Sequence, residues 1–190
     1  MWTPVTASEV EHIKGRFEDF EAPDNLEAEY IEPPFYTRAA ILRLRCTELG
    51  NAYYIAVGDG ELSEREFYPL DGNTYFVHEA NKKAGITLET PAQAEAYMYF
   101  FCYMMERGDY RFNILDNIDG FTVVERAPPS VTPPVFKGAV TTENGSGFLF
   151  GAFMEYGGHL FNTDIAVLTD GYLEMLDDDP YGPLVPVTRH

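Results

Sequence analysis

The residues that could do chemistry are few, and most of them lack a partner at the spacing their chemistry needs. His78-Glu79-Ala80-Asn81-Lys82 opens like a zinc-binding helix, which places two imidazoles four residues apart on one face. Lys82 stands where the second imidazole belongs, so His78 reads as a helix-face residue. Asp116 to Glu125 gathers acids around Gly120, as a calcium loop does. The second oxygen ligand falls on Ile118 and the closing glutamate is misplaced, so the stretch reads as a turn. Gly145-Ser146-Gly147 sets a serine between glycines, but inside a hairpin rather than at a strand-to-helix elbow. Asp177, Asp178 and Asp179 could offer oxygens to a hard cation; they also read as a solvated acidic tail.

Asp164 stands apart because it falls inside an apolar strand, between Phe161 and Ile165. A carboxylate there either faces solvent or sits in an enclosed cavity that would raise its pKa and make it a general base. His159 starts the same strand, and Tyr97, Tyr99 and Tyr103 could supply hydroxyls to such a cavity. Asp164, His159 and His78 are thus the catalytic candidates, none of them in a recognisable motif. No cofactor motif is present.

Charge is the dominant global feature. The chain of 190 residues has 31 acids, 13 lysines and arginines, and a formal net charge of −18. Such a surface repels phosphate backbones and anionic lipids, which argues against nucleic-acid and membrane binding. It favours a basic protein partner, a cation, or simply solubility. The acids fall in two runs of one sign. Glu18, Asp19, Glu21, Glu27, Glu29 and Glu32 belong to the first, and Asp177, Asp178 and Asp179 to the second. From Asn144 to Thr188 there are seven acids and no lysine or arginine. Cys46 and Cys102 lie in apolar segments and read as buried thiols of a reducing compartment. The start, Met1-Trp2-Thr3-Pro4-Val5, lacks the basic region and apolar run of a signal peptide, so the expected location is cytoplasmic.

The elements that must position these residues follow from periodicity. Thr6 and Glu9 form a capping-box pair before an apolar stripe of Val10, Ile13, Phe17 and Phe20. Strands are expected over residues 35 to 47 and 52 to 57. Asn73 and Gly85 bracket a helix over 74 to 84. Thr90-Pro91-Ala92-Gln93 starts a second helix running toward Gly108, apolar around most of its circumference and so expected at the centre. Short strands at 110 to 115 and 121 to 125 precede a Pro-rich stretch at 127–134. Four strands then follow as a meander. They turn at Asn144-Gly145, Gly157-Gly158 and Asp170-Gly171, because glycine accepts the positive φ of tight turns. The last strand is expected to end at Leu176, with residues 178–190 an extended tail.

These elements predict an α+β fold, with helices packed on a curved, mostly antiparallel sheet and a C-terminal four-strand meander. In outline this is similar to cone-shaped folds of the cystatin or nuclear-transport-factor-two type. One domain over 1–190 is expected, with an internal boundary at 127–134 as the alternative. The leading functional expectation is a non-enzymatic binding protein that presents an acidic face to a basic partner, as an immunity or inhibitor protein does. The alternatives are a small-molecule-binding protein or enzyme with an aromatic-lined pocket, and a homodimerisation module.

Overall fold

The computed structural model describes residues 1–16, 25–46, 50–105, 112–124 and 129–186. The fold is α+β, with three helices and two antiparallel sheets where the sequence suggested one. The chain divides into two compact units, Met1–Thr87 and Leu88–His190. The Pro-rich stretch, described from Pro129 onward, falls within the second.

The first unit is a five-stranded sheet in sequential order: β1 (Thr3–Pro4), β2 (Glu27–Ile31), β3 (Ala39–Cys46), β4 (Gly50–Val57) and β5 (Glu66–Pro69). Helix α1 (Ala7–Lys14) buries Val10 and Ile13 against one face, where they meet Ala28, Ala40, Leu42, Leu44 and Ala56. The Thr6 hydroxyl caps the helix by accepting from the Glu9 N–H. Glu9 does not complete the capping box; its carboxylate instead accepts from the Leu62 N–H at 2.7 Å, tying α1 to the turn after β4. Helix α2 (Thr74–Ala84) is capped by Asn73 and stopped by Gly85 at φ +66, as the sequence indicated. Its buried Asn81 accepts from the Tyr36 hydroxyl at 2.6 Å.

β2 was not expected. The acidic run hides a strand because Glu27-Ala28-Glu29-Tyr30-Ile31 alternates charge with apolar side chains. That period-two signal is masked by low β-propensity.

The second unit joins helix α3 (Pro91–Met104) to a strongly curled half-barrel. The full capping box of Thr90 and Gln93 is present at the start of α3. The helix buries Ala94, Tyr97, Met98, Phe101 and Cys102 as one stripe, while Tyr103 is exposed. It is therefore covered mainly on one side, and its remaining apolar residues form a half-buried flank. The strands are β6 (Phe112–Leu115), β7 (Phe121–Val123), β8 (Val135–Thr141), β9 (Ser146–Tyr156), β10 (His159–Leu168) and β11 (Leu173–Pro186). They pair in the order β6-β9-β10-β11-β7, with β8 also on β9.

The register explains how this sheet is organised. β6 lies opposite residues 153–156 of β9, and β8 opposite residues 146–151 of the same edge. The two short strands thus form one interrupted edge line. Between them the chain leaves to place β7 against Leu184–Pro186 at the far end of β11. β10 is central and buried on both faces near its end, with Ile165 and Val167 on one side and Ala166 and Leu168 on the other. Register shifts opposite Leu160/Phe161 and Asp164/Ile165 add residues on the β11 side. Such bulges bend and twist a strand, which fits the curl.

From Asp177 to Pro186 the chain is strand rather than tail, and residues 187–190 lie outside the described residues. β11 continues to Pro186, because the bulges keep it in register with β10 past the aspartates. Tyr181 there lies against Phe153, with ring centroids 6.2 Å apart, and so covers part of the second face of β9.

Candidate partner-binding surface

The acids of the second run sit on β11, one after another, opposite β10. Asp177 pairs in register with Asp164, Asp178 with Thr163 and Asp179 with Asn162. All three are exposed. The buried Thr163 hydroxyl donates to the Asp177 carbonyl at 2.7 Å, which pins the strand beside its bulge. Further along, Asn144 donates to the Glu174 carboxylate at 2.5 Å, linking β11 to the β8–β9 turn. At the β10–β11 turn, the buried Tyr97 hydroxyl of α3 donates to the Gly171 carbonyl at 2.9 Å. β11 is thus positioned by polar contacts at three points, with Asp177, Asp178 and Asp179 exposed along it.

Successive strand residues point to opposite faces, so three consecutive aspartates cannot converge on one ion. Among the described residues, no three His, Cys, Asp or Glu side chains gather closely enough to hold a metal.

Asp164 lies on the outer face of β10, 28% exposed, and is ion-paired with Lys137. Lys137 is the residue skipped by the bulge in β8 and crosses over Gly151 of β9 to reach it. A Cβ at Gly151 would stand 2.6 Å from the Lys137 side chain, so the glycine leaves the room that the lysine uses. Sequence reading missed this pairing; the signal available was a glycine inside a strand, which marks a close approach. His159 is exposed at the start of β10, its Nδ1 3.2 Å from the Gly157 carbonyl. His78 is half-buried on α2, in the other unit. Of the three catalytic candidates, His159 and Asp164 are five residues apart along β10, and His78 lies on α2 of the other unit.

The first acidic run behaves differently. Glu18, Asp19 and Glu21 lie outside the described residues. Glu29 is held by Arg43 and also faces Arg45 at 3.8 Å. Arg43 in turn stacks over Trp2, its guanidinium carbon 4.3 Å from the ring centroid. The Glu29 bond raises the Arg43 pKa above its ordinary value. Glu27 is exposed and opposite Arg45 in register, and Glu32 is exposed beyond the strand. Two carboxylates of this run thus have cations beside them on β3.

Cavities large enough for a small molecule occur at several places among the described residues. One of about 480 Å³ lies beside α1 and β2, lined by Val5, Val10, Glu11, Lys14 and Glu27 among others. Another of about 260 Å³ lies between β6, β7 and the end of β11, lined by Ile114, Asp116, Ile118, Phe121, Glu155 and Leu184. Neither is lined by Asp164, His159 or His78. At the edge of the second, the Tyr99 hydroxyl bonds Asp116. Burial, reinforced by that carboxylate, pushes the Tyr99 pKa up.

Both cysteines are buried free thiols, Cys46 at the end of β3 and Cys102 in α3. Burial pushes Cys102 up to about 12, which keeps it protonated and unreactive near neutral pH. No helix among the described residues is long and apolar enough to cross a membrane. Comparison with protein-family models, with curated proteins and with solved structures finds no match to this chain.

Proposed function

We propose that this protein binds a basic protein partner through the carboxylates of β11 and catalyses no reaction itself. An inhibitor or immunity protein that masks a basic enzyme or toxin is one concrete form of this activity. The observation that carries the reading is the exposure of Asp177, Asp178 and Asp179 along one strand of a chain whose net charge is −18. Clustered exposed carboxylates on such a chain favour a negative field, which speeds encounter with a positive surface and disfavours wrong partners.

The test is calorimetric titration of the full chain with lysine-rich proteins and peptides at low and high salt. Raising salt from about 50 mM to about 500 mM shortens the screening length from near 14 Å to near 4 Å, so binding should weaken steeply. Neutralising the three carboxylates in Asp177→Asn/Asp178→Asn/Asp179→Asn should remove about 0.5 kcal/mol each, or roughly tenfold in affinity altogether. Affinity that ignores both salt and the triple substitution would remove the reading.

A further inference from the structure

We infer that the open edge of β8 takes up an extended segment of the basic partner as an added strand, an inference that rests on the acidic-surface reading above. β8 is hydrogen-bonded to β9 on one side, and no strand among the described residues lies on its other side. An edge of this kind presents a row of unpaired N–H and C=O groups that can template a further strand.

The two long free edges of the half-barrel differ in how they are protected. Along β11, three consecutive aspartates are followed by Pro180 and Pro183, which have no N–H to offer, and two bulges break the line. Charge, proline and bulges are the devices that keep an edge from pairing. Along β8 there is no proline from Val135 to Thr141, and one charge, Lys137. That charge is drawn back across Gly151 to Asp164, so it does not stand along the edge as a guard. What the edge exposes instead is Val135, at 57% of its surface, and Phe136, at 46%. Phe136 continues a lane of rings, its centroid 6.0 Å from Phe148 and 5.8 Å from Phe150. An added strand would gain main-chain bonds from the edge and an apolar shelf for its alternate side chains.

Charge selects the occupant. A second copy would bring two acidic surfaces together, in a chain of net charge −18. A strand with lysine or arginine on one face and aliphatic residues on the other meets both the apolar lane and the net negative charge of the chain.

The main chain supplies a clean perturbation. The Thr142 N–H bonds the Gly145 carbonyl at 2.8 Å, which makes 142–145 a bonded pair of the hairpin. Bonded and non-bonded pairs alternate in an antiparallel ladder. Ala139, opposite Phe148, therefore turns its N–H away from β9 and toward the open edge. Ala139→Pro removes that donor without changing charge or the β8–β9 ladder, and Phe136→Ser removes part of the apolar shelf.

The probe is a labelled peptide alternating valine and lysine, with a valine–glutamate peptide as control, titrated into the full chain by fluorescence anisotropy. Amide exchange at β8 is followed by NMR at saturation, and folding of each variant by circular dichroism. The valine–lysine peptide should bind, slow exchange of the Ala139 and Thr141 amides, and lose at least about tenfold in affinity in each variant. Should the peptide bind, weaken in the triple Asp→Asn protein, and yet ignore both β8 substitutions without protecting β8, the edge inference is overturned while the acidic-surface reading stands. No peptide binding at all, equal binding of the glutamate peptide, or protection of β8 by self-association in sedimentation would also overturn it.

Discussion

Two glycines of β9 give a sharp test of the packing that positions β10 and β11. Gly147 and Gly151 share one face of the strand, and neither has the positive φ that would demand glycine. They differ in what a methyl group would meet. At Gly147 an added Cβ stands 2.0 Å from the Val167 carbonyl oxygen and 2.7 Å from the Leu168 Cα, both backbone. Ordinary contact lies near 3.5 Å, so β10 would have to move by more than about 1 Å against a strand spacing of about 4.8 Å. Gly147→Ala should therefore cost at least the 1–3 kcal/mol typical of overpacking, about 3 kcal/mol with the ladder bonds it strains. At Gly151 the first contact is the Lys137 side chain, whose end can swing into solvent. The loss there is a half-exposed ion pair, about 0.2–1 kcal/mol. It is offset by the lower unfolded-state entropy of alanine, about 0.5–1 kcal/mol. Gly151→Ala should thus lie within about 0.5 kcal/mol of the parent. Urea denaturation followed by circular dichroism reads both. The reasoning is refuted if Gly147→Ala costs under about 1 kcal/mol, or if Gly151→Ala proves the more damaging of the two.

Other expectations follow from single contacts. Tyr97→Phe strands the buried Gly171 carbonyl and should cost about 1–2 kcal/mol in the same assay; a neutral result would mean that the hydroxyl bond does not hold the β10–β11 turn to α3. The Glu66 carboxyl is held below its ordinary value by the neighbouring Tyr68 and by Lys83, whose ammonium bonds both of its oxygens at 2.9 Å. A lowered folded pKa stabilises the protein above the unfolded carboxylate range, and that stabilisation is lost as pH falls through the folded pKa. Glu66→Gln should therefore be the less stable protein near pH 7, with the gap closing as pH falls below the ordinary carboxylate range; a gap that does not change with pH contradicts this. Cys46 and Cys102 should resist a thiol reagent near pH 8 until denaturant is added, then both react; rapid labelling of Cys102 in the native protein would contradict its burial.

What the sequence determined is whatever depends on neighbours along the chain. Helix α2 is bounded by Asn73 and Gly85 because a side-chain oxygen and a left-handed glycine satisfy helix ends locally. The Thr90–Gln93 box fixed the start of α3 for the same reason. The hairpin glycines placed the turns of the meander, and alternation over β9 and β10 divided their faces. Net charge, too, is additive and needs no coordinates. Tertiary structure decided what depends on residues far apart. Glu27 and Glu29 are strand residues because Arg43 and Arg45 of β3 lie opposite them, which no local propensity records. Asp164 lies in an ion pair because a bulge in β8 aims Lys137 across Gly151 of the adjacent β9 to β10, two strands away. The aspartates read as a tail form an ordered strand because bulges absorb the residues that would otherwise break register with β10. Pairing partners and register are long-range choices, set by which face each strand can bury, and they are what left β8 with β9 as its one partner among the described strands.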